Sequence, residues 1–179
     1  MRPADATCHA PRVSIRSLEE LAALEDLRQL KYRYFRTLDL KRWDEFADTL
    51  ADDVVARYGT HALRDPLVFE GRDTLAGFMR DSLGPAVTTV HVANHPELTV
   101  DGSRASGSWA FEDTVIVPDA KSVIRGAGYY TDRYRRDDDG RWRIVETSYD
   151  RIYESITSLD DTPSFKLLSH MWEAGSQQG

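Results

Sequence analysis

His91 and Asp113 stand eleven positions before and eleven after Gly102 in the stretch AVTTVHVANHPELTVDGSRASGSWAFEDTVIV, residues 86–117. Asp101-Gly102-Ser103 carries turn chemistry between a Thr/Val-rich run and an aromatic-rich run, which predicts a long β-hairpin. With a three-residue turn, His91 and Asp113 are cross-strand neighbours whose Cβ atoms lie roughly 5 Å apart. A two-residue Asp-Gly turn places Glu112 opposite His91 instead, and Pro96 offers a bulge that shifts the register. Alternation puts Asp113 on the face of Trp109, Phe111, Val115 and Val117, where a carboxylate needs a partner, and His91 is the nearest candidate. An imidazole oriented by a carboxylate can act as general base or proton shuttle. A structural His–Asp hydrogen bond inside a sheet is the other reading of the same pair.

Four more polar residues fall on faces that point inward. Ser17-Leu18-Glu19-Glu20 reads as a capping box, and Leu21, Leu24, Leu27, Leu30, Tyr34 and Leu38 continue a helical stripe to about Leu40. Tyr34 therefore turns its ring toward the core. Asp39 follows Phe35 by one turn and leans the same way, although the helix dipole disfavours a carboxylate at that end. In the strand predicted over Val54–Tyr58, Val54, Ala56 and Tyr58 share a face, giving a second inward tyrosine. In the last long strand, predicted over Trp142–Tyr153, Arg151 shares a face with Val145, Thr147, Tyr149 and Tyr153. It supplies the fixed positive charge of a pocket or pairs with a surface carboxylate.

The elements that must position these groups follow from pattern. A short helix spans about Lys41–Leu50, and a loop or short hairpin occupies Gly59–Gly71. A third helix starts at Asp73 with Leu75, Phe78, Met79 and Leu83 as its stripe and ends at Gly84-Pro85. An aromatic-rich strand covers Ser122–Arg136, and Asp137-Asp138-Asp139-Gly140 turns the chain into the last strand. Phe165, Leu167, Leu168, Met171 and Trp172 form a possible docking helix. Helices first and long antiparallel strands after give an α+β architecture: a curled antiparallel sheet wrapped around N-terminal helices, with a cone-shaped pocket. Tyr34, Tyr58, His91, Asp113 and Arg151 converge there, the arrangement expected of a site. The expected division is a tail over 1–16, one domain over 17–157 and a C-terminal segment over 158–179, read as a lid or an interface.

Totals narrow the partners. The chain has 179 residues and a formal net charge of −7, with 30% charged residues, which argues against nucleic acid and anionic membranes as partners. No apolar run is long enough to cross a bilayer, and MRPADATCHAPRVSI lacks a signal-peptide core, so the expected location is cytoplasmic. Cys8 is the only cysteine and rules out an internal disulfide or a Cys-based zinc site. The five histidines contain no HExxH spacing, and no metal is expected. No phosphate-binding glycine loop and no GxSxG occurs.

The stretches LKYRYFRTLDLKRWDEF, TVHVANHPELTVDG, ASGSWAFEDTVI, GAGYYTDRY and WRIVETSYDRIYE resemble the bile acid 7α-dehydratase family of the SnoaL-like, nuclear-transport-factor-2-like fold. They cover most of residues 27–154 in order and with similar spacing. The resemblance places the family's active-site tyrosine on Tyr34, its helix-end aspartate on Asp39, and a second pocket tyrosine on Tyr58. Its histidine falls on His91, the partner aspartate on Asp113 and the arginine on Arg151. Asn94 stands where the family often has a second histidine.

This resemblance implies loss of the 7-hydroxyl as water from a 3-oxo-Δ4 steroid or bile acid, free or as a coenzyme A thioester, without cofactor. Tyr34, His91, Asp113 and Asp39 carry the catalytic assignment, and Tyr58, Arg151, Trp109 and Asn94 the substrate-binding one. Either His91 or Asp39 removes the carbon-bound proton, and Arg151 anchors a substrate oxygen or holds Asp39 or Asp113 ionised. A homo-oligomer, with a trimer favoured, is also implied. Two other readings stand beside it: another dehydratase, isomerase or cyclase of the same fold acting on a polyketide or small hydroxy-enone, and a non-catalytic ligand-binding module.

Overall fold

A computed structural model of the protein describes residue 15 and residues 17–59 and 65–172. The expected tail over 1–16, Ile15 apart, lies outside the described residues, as does the chain beyond Trp172.

Helix α1 runs over Leu18–Asp39 and starts where the capping box places it: extended Ser17 accepts a hydrogen bond on its side chain from the Glu20 N–H at 3.1 Å. Its buried face contains Leu24, Leu27, Leu30, Lys31, Tyr34, Phe35 and Leu38, while Leu21, expected in the stripe, is exposed. A tight turn at Leu40–Arg42 leads to the short helix α2, Trp43–Ala47, which buries Phe46.

Strand β1 spans Leu50–Tyr58 and forms a hairpin with β2, Leu67–Glu70. Helix α3 follows over Arg72–Ser82. Then come β3, Thr88–Asp101; β4, Arg104–Val117; β5, Ser122–Arg136; and β6, Trp142–Ser158. They form one six-stranded sheet in the order β2-β1-β6-β5-β4-β3, curled around α1 and left open between β2 and β3. The sheet is mixed rather than wholly antiparallel, because β1 pairs with β6 in parallel. One helix, α3, and four strands, β2 to β5, separate those two partners, ample length for the crossover that a parallel pair requires.

Three bulges decide which side chains face α1. In β3, His95 and Pro96 oppose Trp109 alone, with His95 at φ 49°, and the ladder shifts by one residue. The hairpin loop itself is the two residues Gly102-Ser103, with Gly102 at φ 58°. Alone, that loop would set Thr114 across from His91; the bulge restores His91↔Asp113. In β6, register shifts lie between Ile144 and Glu146 and between Arg151 and Tyr153. Trp142 and Ile144 are therefore buried, then Thr147, whereas Tyr153 is 50% exposed. The single inward face expected from Val145 to Tyr153 is broken at both bulges.

The C-terminal segment is not helical through Trp172. Leu168 is 87% and Met171 55% exposed, and without a surface to bury its apolar face an isolated helix this short does not form.

Candidate active site

Asp39 is the last residue of α1 and lies beside β3, an edge strand whose outer backbone groups have no neighbouring strand. The carboxylate fills that vacancy. Asp39 Oδ2 accepts from the His91 backbone N–H at 2.9 Å, and Oδ1 lies 2.7 Å from His91 Nδ1. The Thr89 hydroxyl donates to the same Oδ1 at 2.8 Å. Phe35 stacks on the imidazole with centroids 5.3 Å apart and planes 9° apart. Imidazole orientation is thus fixed at an edge by Asp39 and across its face by Phe35. With Nδ1–H donating to Asp39, Nε2 carries the lone pair, and among the described residues it has no hydrogen-bond partner.

Asp113 takes a different role from the one expected. It is the register partner of His91, but both its oxygens accept from Arg151, at 2.9 Å from Nη1 and 2.6 Å from Nη2. Arg151 Nε also lies 3.0 Å from Glu154. The guanidinium reaches Asp113 by crossing Gly126, the ladder partner of Asp113 on β5, where an added Cβ would fall 1.9 Å from Arg151 Nη1. Glycine here leaves the guanidinium its path to Asp113. Burial opposes the charge on Arg151, yet its bonds to Asp113 more than offset it, so the pKa stays above the ordinary arginine value.

Tyr34 and Tyr58 face each other with hydroxyls 2.8 Å apart. A phenol has one proton, so one donates and the other accepts. Neither has another partner among the described residues, which leaves the accepting phenol's own proton free for an incoming oxygen. Burial pushes both phenols well above their usual pKa, and they remain protonated donors at any physiological pH. Tyr149 stacks on Tyr58 at 5.2 Å and 14°, and Tyr130 closes against Phe35, Phe111 and Tyr149 at 5.4, 4.8 and 5.3 Å. This aromatic wall links the phenol pair to His91 on one side and to Arg151 on the other.

Beneath the wall lies a polar group that pattern reading missed. Lys31 and Asp132 are both fully buried, with Nζ 2.8 Å from Oδ2. Asp132 also accepts from the Tyr134 hydroxyl and from Thr147, each at 2.8 Å, and Trp109 Nε1 donates to Tyr134 at 2.8 Å. The ammonium sits 3.8 Å from the Tyr130 ring centroid. The signal was present in the sequence: Lys31 interrupts the helical stripe one turn after Leu27, and Asp132 alternates with Tyr130 and Tyr134.

Two residues expected to bind substrate lie apart from these groups. Trp109 is completely buried and its indole N–H is used by Tyr134, at the closed end of the sheet. It stands four positions from Asp113, about 13 Å along a strand. Asn94 is exposed on the outer face of β3, because three residues of alternation put it on the opposite side from His91.

The open, curled sheet around α1 thus carries an oriented imidazole and a pair of phenols on its inner side. The chain belongs to the SnoaL-like domain family, whose model matches residues 19–148. Among solved structures it is similar to type 2 hexachlorocyclohexane dehydrochlorinase, LinA, at 19% identity, 79% of this chain and 93% of that one, with a TM-score of 0.67. A candidate scytalone dehydratase of Novosphingobium aromaticivorans DSM 12444 matches at 15% identity over 75% and 87%, TM-score 0.66. Rv3472, a protein of unknown function from Mycobacterium tuberculosis, matches at 23% over 83% and 80%, TM-score 0.63. At these identities the likeness concerns the fold. No helix among the described residues is long and apolar enough to cross a membrane.

Proposed function

We propose that the protein is a hydro-lyase that needs no cofactor and removes the 7-hydroxyl of a 3-oxo-Δ4 steroid or bile acid as water. The observation that carries the reading is the hydrogen-bonded Asp39–His91 pair, with Nε2 left as the base, on the same inner wall as the two protonated phenols. Such a set suits a substrate that holds its own electron sink. His91 Nε2 removes the proton at the vinylogous carbon, and the electron pair moves through the enone to the 3-oxo oxygen. The phenol proton left free by the Tyr34–Tyr58 bond donates to that oxygen and strengthens as charge develops. Collapse of the dienolate expels the 7-hydroxyl, and the imidazolium returns its proton to the departing oxygen, so water leaves and the base is restored.

Asp39 orients and does not itself attack the carbon-bound proton, because its two oxygens already accept three donors. A positioned imidazole is worth about 10² to 10⁴ in rate. Asp113 and Arg151 fix the far side of the wall. Two of the similar structures carry the names dehydrochlorinase and dehydratase, both eliminations, which agrees with this reading. The test is incubation with a 7α-hydroxy-3-oxo-Δ4 steroid, without metal or cofactor, following the red-shifted absorption of the dienone and the loss of one water by mass. Turnover abolished in His91→Ala and Tyr34→Phe supports the assignment, and turnover surviving both refutes the roles.

A further inference from the structure

Lys41 follows α1 in a left-handed backbone conformation, φ 58°, that a lysine adopts at a cost. Its side chain is drawn inward: the residue is 9% exposed, and Nζ lies 3.0 Å from Thr89 Oγ1. That hydroxyl is the one 2.8 Å from Asp39 Oδ1. An unbroken line of hydrogen bonds therefore runs from Lys41 through Thr89 and Asp39 to His91. Its outer end lies in a groove of about 550 Å³ that Lys41 lines with Arg42, Trp43, Asp44, Glu45 and Arg80.

Donor arithmetic gives the line a direction. An ammonium has three donors and no acceptor, so Thr89 Oγ1 must accept from Lys41. Its single proton is then turned to Asp39. The carboxylate has no proton to give, so His91 Nδ1 donates to it, while the Thr89 proton on Oδ1 and the His91 N–H on Oδ2 fix its orientation. We propose that Lys41 and Thr89 are positioning residues, the ammonium setting the polarity of the threonine hydroxyl so that Asp39 holds His91 with Nε2 bare.

Neutral Lys41 gains a lone pair, and Thr89 is then free to donate to it instead of to Asp39. Burial lowers the lysine to about 8, against the opposing charge of Asp39. Asp39 of α1 acts on it directly and holds His91 of β3, while Arg42 in the turn, Asp44 and Glu45 of α2 and Arg80 of α3 line the same groove. The hold on Asp39 therefore weakens as pH rises through about 8.

The role assigned to His91 rests on the dehydratase reading, but the line itself is testable without substrate. The full chain is compared as wild type, Thr89→Val, Thr89→Ser and Lys41→Met by proton NMR of the imidazole Nδ1–H of His91 below pH 8. Exchange of that proton should quicken about tenfold in Thr89→Val and Lys41→Met, and stay near wild type in Thr89→Ser. Exchange unchanged in the first two, or as fast in Thr89→Ser as in Thr89→Val, overturns the proposal. With turnover of the steroid, kcat should fall about tenfold at constant KM in Thr89→Val, with Thr89→Ser restoring it, and the fall in rate above pH 8 should vanish in Lys41→Met. A fall carried entirely by KM overturns the positioning role. Absence of steroid turnover in wild type counts against the substrate alone, and the exchange measurement then decides.

Discussion

Replacing Asp39 with asparagine separates its role from that of Asp113, the carboxylate expected to partner His91. Three donors converge on Asp39: the Thr89 hydroxyl and His91 Nδ1 on one oxygen, the His91 backbone N–H on the other. An amide has one oxygen and one NH₂, so it cannot accept from all three. If the NH₂ takes the place of Oδ2, it meets the backbone N–H, and an unsatisfied part-buried donor costs about 1–3 kcal/mol. If it takes the place of Oδ1, the backbone bond survives but His91 Nδ1 must become the acceptor. The imidazole proton then moves to Nε2, the base is blocked, and the rate falls about 10² to 10⁴. Either orientation has a measurable loss, read by urea denaturation and by dienone formation on the same preparation. Asp113→Asn leaves those three bonds intact and disturbs Arg151, so it should leave the His91 Nδ1–H signal in place. An Asp39→Asn protein with wild-type stability and a rate within threefold of wild type, or loss of the Nδ1–H signal in Asp113→Asn, would refute the reasoning.

Other outcomes follow from single contacts. Gly126→Ala drives a methyl into Arg151 Nη1, and the displaced guanidinium leaves Asp113 buried without its bidentate partner; the loss in unfolding free energy should reach about 3–5 kcal/mol by urea denaturation. Lys31→Met removes the cation from Asp132, which stays fully buried with only hydroxyl donors, and should destabilise by a similar ~3–5 kcal/mol, partly recovered by adding Asp132→Asn. Tyr58→Phe removes the phenol partner of Tyr34 and should lower kcat with the fold kept, measured by turnover and circular dichroism. Lys41 titrates at about 8 in the folded protein against 10.5 unfolded, so between these values the unfolded chain binds more protons and stability rises with pH; chemical denaturation of Lys41→Met should lose that rise.

Much of the fold was legible because the local signals were strong. The Ser17 cap, the Leu24 to Leu38 stripe and the aromatic strand Ser122–Arg136 appear where pattern reading put them. His91 and Asp113 do face each other across the ladder, but through compensating features: a two-residue loop and a bulge at His95-Pro96. What pattern could not supply was the partner choice. Proximity made His91 the first candidate partner for Asp113 and left Arg151 open between Asp39 and Asp113, whereas the end of α1 brings Asp39 to His91 at the open edge of β3 and Arg151 pairs with Asp113. Such choices depend on how helix and sheet meet, which no periodicity encodes. Trp109 shares a face with Asp113 but is completely buried deeper along it, because alternation gives the face and not the depth. Lys31 and Asp132 were overlooked because each was read as part of an apolar element, although each breaks its pattern in the middle.

Incubation of the protein with a 7α-hydroxy-3-oxo-Δ4 steroid, with free-acid, thioester and side-chain-less forms compared, tests the central claim most directly. The account predicts the Δ4,6 dienone and one equivalent of water without metal or cofactor, lost in His91→Ala and in Tyr34→Phe. Unchanged steroid recovered from all three forms after long incubation would contradict it.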